Sequence, residues 1–260
     1  DGRALLVGWH PEFSLTEGSG LGGEADTDLV GDAPGWWRRG VEHARSHEAY
    51  LGFLYGWDGS RWWRLDQPID DGFEETPVGQ RAALAVTSGE ESGAAVRVTD
   101  ETAASGQRCL KLTDAPGLKY AWQPHLYYQP RLRKGIARLS FAVRLEEDAE
   151  LIHEWRDASE PYRVGPSIRI RPGGQVVANN KPLMNVPIGR WVRVTIEAPL
   201  GNQASGSYTL TVATSGAAPE QFSGLAVGNP EWRTLRWLGF ISLADAKTTI
   251  YLDDVKLEAR

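Results

Sequence analysis

The chain has 260 residues, 41% of them hydrophobic and 24% charged, with a formal net charge of −6. That length builds one large domain, or one medium domain with an appendage, and buries enough apolar surface to need no covalent staples. A single cysteine, Cys109, rules out an intramolecular disulfide or a cysteine-built metal cluster, the acidic balance excludes a nucleic-acid footprint, and the short apolar runs exclude a membrane-spanning helix.

The first element in the chain is Ala4–Gly8, which reads as a buried strand. A core strand so close to Asp1 is expected of a chain cut from something longer, or matured by processing. Residues 15–35 are rich in Gly, Asp, Glu and Thr and read as a long loop. Over 36–55 the residues Trp37, Val41, Ala44, Glu48, Leu51 and Tyr55 recur at helical spacing, with Gly56 as the stop and Trp57–Ser60 as a tight turn. The turn-rich stretch Asp66–Gly72 then marks a boundary. Six of the eleven tryptophans precede it (Trp9, Trp36, Trp37, Trp57, Trp62, Trp63), so residues 1–69 form a short, Trp-rich, mixed α/β segment.

From residue 73 the period changes to two. Ala137, Leu139, Phe141, Val143 and Leu145 share one face of 136–145, and Arg138, Ser140, Ala142 and Arg144 the other. Residues 191–197 and 207–212 alternate in the same way. Further strands are predicted at 94–98, 108–113, 118–123, 150–156, 162–171, 236–242 and 248–257, separated by Gly- and Pro-containing turns. About ten short strands with one apolar face each predict a mainly β domain over 70–260, an antiparallel jelly-roll sandwich.

The β domain opens with Asp70-Asp71-Gly72-Phe73-Glu74 and closes with Tyr251-Leu252-Asp253-Asp254-Val255. Sandwiches often set their first and last strands side by side, which would bring these carboxylates together as hard oxygen ligands of the kind calcium takes. These two ends resemble those of calcium-stabilised carbohydrate-binding modules, with a Phe-Glu in the first strand and a Leu/Ile-Asp-Asp in the last. The resemblance implies a structural calcium held by Glu74 and Asp254, with Asp253 as the alternative ligand.

Residues 73–258 also resemble the C-terminal jelly-roll domain of secreted polysaccharide-degrading enzymes. The stretches that carry this likeness are Val98–Thr102, Leu112–Gly117, Pro124–Tyr128, His153–Asp157 and Tyr162–Pro166. It implies a concanavalin-A-like or galactose-binding-like sandwich, a polysaccharide or oligosaccharide as partner, and an extracellular or periplasmic location. Under it, residues 1–69 look like the tail of a preceding catalytic domain.

Two segments concentrate side chains suited to sugars. Alternation puts His125, Tyr127 and Gln129 on one side of their segment, and His153 and Trp155 on one side of Leu151–Asp157, with Glu154 and Arg156 opposite. Tyr162 and Arg163 follow a Ser-Glu-Pro turn. Aromatic planes stack on the CH faces of a pyranose, planar polar groups pair with its hydroxyls, and arginine adds recognition of uronate carboxylates. The expected binding set is therefore His125, Tyr127, His153, Trp155, Arg156, Tyr162 and Arg163. One alternative is a jelly-roll polysaccharide lyase, in which Arg156 neutralises a uronate while His153 and Tyr162 act as base and acid. Ile152-His153 and Tyr162-Arg163-Val164-Gly165 echo such lyases, whose Arg-x-Glu and closing Tyr-x-x-Gly-x-Tyr-x-Gln strands are missing here. A structural or interaction sandwich is the other alternative, with the cluster buried or internally paired.

Glu12, Glu17, Glu24, Asp26 and Asp28 crowd the N-terminal loop beside Trp9 and His10, as one wall of a glycosidase cleft would. His43 and His47 have metal-sharing spacing, but the His-Glu-x-x-His pattern is absent because Ala44 follows His43. Cys109 alternates within an apolar strand and reads as packing.

Overall fold

In the computed structural model the described residues are the strands at 5–8, 53–57 and 62–64, and 69–260 apart from 91 and 131. The chain forms two compact units, Asp1–Gln67 and Pro68–Arg260. In the first, β1 (Leu5–Gly8), β2 (Phe53–Trp57) and β3 (Trp62–Arg64) make an antiparallel sheet in that order, with Leu5 opposite Gly56 and Trp57 opposite Trp62. The end of the helix expected over 36–55 is thus corrected. Phe53–Trp57 pairs on both sides as a strand, as its aromatic composition favours. The rest of that helix, the loop at 15–35, its acidic residues and His43 and His47 lie outside the described residues.

The second unit begins with β4 (Ile69–Asp71), β5 (Val86–Ser88), β6 (Ala95–Thr99), β7 (Cys109–Thr113) and β8 (His125–Tyr128). It continues through β9 (Gly135–Leu145), β10 (Leu151–Arg156), β11 (Val164–Ile170), β12 (Gln175–Ala178) and β13 (Lys181–Asn185). The last five are β14 (Val192–Leu200), β15 (Ser207–Thr214), β16 (Glu220–Ala226), β17 (Trp237–Ser242) and β18 (Thr249–Ala259). Seven strands form one sheet in the order β13-β12-β11-β10-β17-β8-β5. The other runs β16-β15-β14-β9-β18-β7-β6, with β4 added on β18. The chain crosses repeatedly between the sheets, at β4 to β5, β5 to β6, β7 to β8, β8 to β9, β9 to β10, β13 to β14, β16 to β17 and β17 to β18, so the unit is an antiparallel jelly-roll sandwich. Among the described residues there is no α-helix. The strand expected over 118–123 is a run of turns instead, and pairing begins only at His125.

The period-two pattern accounts for the core. Leu139, Phe141 and Val143 of β9 are fully buried, as are Ile196 of β14, Leu210 of β15 and Val255 of β18. Each such side chain contributes roughly 1.5–3 kcal/mol of transfer free energy. The two inner faces interlock through Phe141, whose ring meets Phe240 edge-on at 5.0 Å. Tyr208 Oη donates to the Ser167 carbonyl at 2.8 Å, and buried Tyr128 Oη to Asp71 Oδ2 at 3.2 Å, so polar links also span the layers. Asn179 and Asn180, both at positive φ, close the hairpin between paired Ala178 and Lys181 as a type I′ turn requires. At the seam, Asp71 of β4 faces Val255 of β18 and Ile69 faces Leu257.

Candidate functional site

The site begins with the two sides of β10. Leu151, His153 and Trp155 point into the sandwich, while Ile152, Glu154 and Arg156 point out of it. His153 and Trp155 are 0% exposed, so neither forms part of a binding surface, and His153 has no access to act as a base. The physical reason is the partition of strand faces: Leu and Trp take the dry side, Glu and Arg the wet one. Trp155 Nε1–H donates to His153 Nε2 at 2.8 Å, and the imidazole packs 4.5 Å from the Phe240 ring. Burial pushes the His153 pKa down to about 3.

The outer side of the seven-stranded sheet carries His125, Tyr127, Arg156 and Tyr162, and there they join. Tyr127 of β8 stacks at 5.5 Å on Trp237 of β17, and His125 stacks at 5.7 Å on Tyr127. Trp122 meets His125 edge-on at 5.1 Å, and Tyr120 lies parallel to Trp122 at 4.7 Å. At the other end the Arg156 guanidinium lies over both Trp237 and Tyr162, 4.0 and 4.2 Å from their ring centroids. The result is a continuous ladder of planar groups from Tyr120 to Tyr162. Its middle is partly covered, but its ends are open: Tyr162 is 52% exposed, Trp122 44% and Tyr120 42%.

Local structure explains why the ladder holds. Trp237 lies across Gly239, where a Cβ would stand only 2.0 Å from its Cη2, so glycine there makes room for the indole. The segment bearing Tyr120 and Trp122 is folded by Gln123, whose Oε1 accepts from Tyr120 N at 3.3 Å, and by Asp245, which accepts from Gly117 N at 2.9 Å. Tyr162 follows a turn in which Asp157 Oδ1 accepts from Ser159 N at 3.1 Å and Arg163 N at 2.8 Å.

The polar groups of this face are few. Arg156 is bonded through Nε to Glu154, two residues earlier on the same side of β10. His125 is nearly buried, and its Nδ1 has no hydrogen-bond partner. Burial, helped by the Arg156 charge, lowers its pKa to about 4, so the ring is neutral near pH 7. Arg163 pairs with Asp157 at 3.5 Å and with Glu231 at 3.0 Å, and no described contact links it to the ladder. Trp237, Trp122 and Tyr120 are the members that the sequence reading left out of its binding set.

The carboxylates at the two ends of the domain gather around one loop. Glu74 Oε1 accepts from Gln107 N and Arg108 N, both at 2.9 Å. Asp253 Oδ2 accepts from Ala104 N at 2.7 Å and Ser105 N at 3.2 Å. Asp254 takes Ser105 Oγ–H at 2.6 Å and an Arg193 nitrogen at 2.6 Å. A bulge in β18 between Asp253 and Lys256, with Asp254 at φ 49°, aims the adjacent aspartates at this loop. The convergence follows from the β4–β18 seam, but the oxygens are engaged by N–H, O–H and guanidinium donors. Among the described residues no three His, Cys, Asp or Glu side chains are grouped to hold a metal ion. As they stand, they fit a hydrogen-bonded clasp better than a calcium cage.

No protein-family model and no curated protein matches this chain in sequence. Solved structures similar to it include an endo-β-1,4-glucuronan lyase from the fungus Trichoderma reesei, at 14% identity and a TM-score of 0.49 over 67% of this chain and 90% of that one. The cellulose-induced protein Cip1 is similar at 15% identity and a TM-score of 0.49, over 74% of this chain and 97% of its own. The CBM22-1 xylan-binding domain of Paenibacillus barcinonensis Xyn10C has 17% identity and a TM-score of 0.38, over 74% and 94% respectively. At such identities, function has to be read from this chain's own surface.

Proposed function

We propose that the outer face of the seven-stranded sheet binds a polysaccharide or oligosaccharide without altering it. On this reading the chain is a carbohydrate-binding accessory domain of an extracellular polysaccharide-degrading enzyme. The observation that carries the reading is the ladder from Tyr120 to Tyr162, with three large aromatic rings left open to water at its ends. A soluble domain rarely leaves such rings exposed together unless something covers them. Flat rings match the CH faces of pyranoses. Elimination chemistry on a uronate has less support: His153, the base it needs, is sealed in the core.

Affinity electrophoresis over a panel of soluble glycans tests this reading. At least one glycan is expected to retard the protein, and Trp122→Ala with Tyr162→Ala is expected to abolish the retardation. Incubation with alginate and glucuronan is expected to give a flat absorbance trace for unsaturated product. A rising trace would replace binding with catalysis.

A further inference from the structure

A face that recognises acidic glycans needs a cation whose charge is unspent, because a guanidinium pairs with a uronate carboxylate by a fork of N–H donors. Arg156 sits where such a cation would be wanted, between Trp237 and Tyr162 of the ring ladder, yet its charge is already matched. Its Nε donates to Glu154, and the two side chains are only 22% and 15% exposed. Partial removal from water strengthens such a pair relative to one on the open surface. The guanidinium also lies over Trp237 and Tyr162, so it serves as one more flat plate in the stack.

The two neighbouring arginines are similarly matched. Arg169, which faces Ile152 across the β10–β11 ladder, is bonded to Glu150. Arg163 is shared by Asp157 and Glu231. Lys119 lies over the Tyr120 ring, 5.0 Å from its centroid, at the far end.

We infer that Glu154 is a built-in counter-ion that makes this face select neutral polysaccharides and reject polyuronates. The inference rests on the glycan-binding reading above and adds the ligand class and the residue that sets it. A uronate reaching Arg156 would have to share the guanidinium with Glu154, placing two carboxylates about one positive charge. Such like-charge crowding is how a site discriminates against a wrong partner. A neutral chain stacks on the same rings and leaves the pair intact.

The test is calorimetric titration of the chain with neutral glycans (xylan, galactan, soluble β-glucan) and acidic ones (alginate, pectate, glucuronan), each at low and at physiological salt. The wild type is expected to bind a neutral glycan with little dependence on salt, and to bind every acidic one at least ~10-fold more weakly, a gap of ~1.4 kcal/mol. Glu154→Gln is expected to raise affinity for acidic glycans ~10-fold and to make it salt-sensitive, with neutral binding retained. Acidic glycans bound by the wild type as tightly as neutral ones would overturn the inference while leaving glycan binding in place. No binding to any glycan would sink the underlying reading instead. The wild-type comparison decides the matter even if Glu154→Gln fails to fold.

Discussion

The two sheets of the sandwich treat their outward aromatic residues in opposite ways. On the eight-stranded sheet, Tyr251 of β18 stands between its strand neighbours Arg144 and Lys111, whose charges lie 5.5 and 5.8 Å from its ring centroid. Trp191 packs 6.4 Å away, and Tyr251 Oη donates to Glu101 at 2.8 Å, so the residue is only 8% exposed. Beside the seven-stranded sheet, Tyr162 and Tyr120 also carry a cation on one side, Arg156 at 4.2 Å and Lys119 at 5.0 Å, yet with Trp122 they stay 42–52% exposed. A surface aromatic can be made inert by capping it with cations and hydrogen bonds. Where the same chain leaves a row of rings open to water, stability does not explain the row, and the proposed glycan binding would.

Four experiments break or sharpen that contrast. The largest effect is expected on β10 itself. Trp155→Ala empties the core and is expected to cost ~3–5 kcal/mol in denaturant unfolding, with binding lost only through unfolding. Tyr162→Ala, on the open side of the same sheet, is expected to leave the unfolding midpoint nearly unchanged while weakening glycan affinity ~10-fold. Equal loss of stability in both variants would mean that Tyr162 is structural.

Gly239→Ala comes next, because it moves a ring without deleting it. The added methyl would meet the Trp237 indole at 2.0 Å, so Trp237 must swing away from the sheet. Titration should show ~10-fold weaker binding, and Tyr251→Ala, on the opposite face, should lower thermal stability with no change in affinity. A Gly239→Ala variant that binds normally would remove Trp237 from the site.

The effect of pH is smaller and has a definite sign. His153 titrates at about 3 and His125 at about 4 in the folded chain, against an ordinary value of 6.5. The unfolded chain therefore takes up these protons first. The stability they contribute is complete above pH 6.5 and is lost as pH falls toward those folded values. Asp253 works the other way. Burial raises its carboxyl to about 6, so its contribution is fullest in acid and disappears as pH rises through that value. Thermal melts should fall as pH drops from 6.5 toward 4, the loss from the two histidines being partly offset by Asp253, whereas glycan affinity, with His125 neutral, should stay level from neutrality down to about pH 5.

The smallest effect concerns calcium. With Glu74, Asp253 and Asp254 already engaged by internal donors, adding calcium to chelator-treated protein is expected to leave the melting temperature unchanged. A clear rise would install the metal that the sequence resemblance implies.

Much of the sandwich could be read from residue spacing alone, because a strand with one dry face writes its period directly into the chain. β9, with Leu139, Phe141 and Val143 inward, is the clearest example. The edge strands β13 and β16 escaped notice because, exposed on both sides, they carry no alternation. Alternation also grouped His153 with Trp155 and Glu154 with Arg156, but a period of two does not say which group faces the core. The signal was present in Leu151, which shares the side of His153 and Trp155 and drew that side inward. Trp237 was overlooked for a different reason. Its strand is apolar almost throughout, and only the glycine two residues on hints that a large ring needs space outside the sheet. The stacking of Tyr120 on Trp122 depends on a folded loop, which no local period encodes.

The seam between β4 and β18 has a mechanical consequence. Because Ile69 lies opposite Leu257 and Asp71 opposite Val255, the chain enters and leaves this pair of strands at the same end. A pull applied between those two points would open the rungs one after another, as a zipper opens, instead of loading them all in shear.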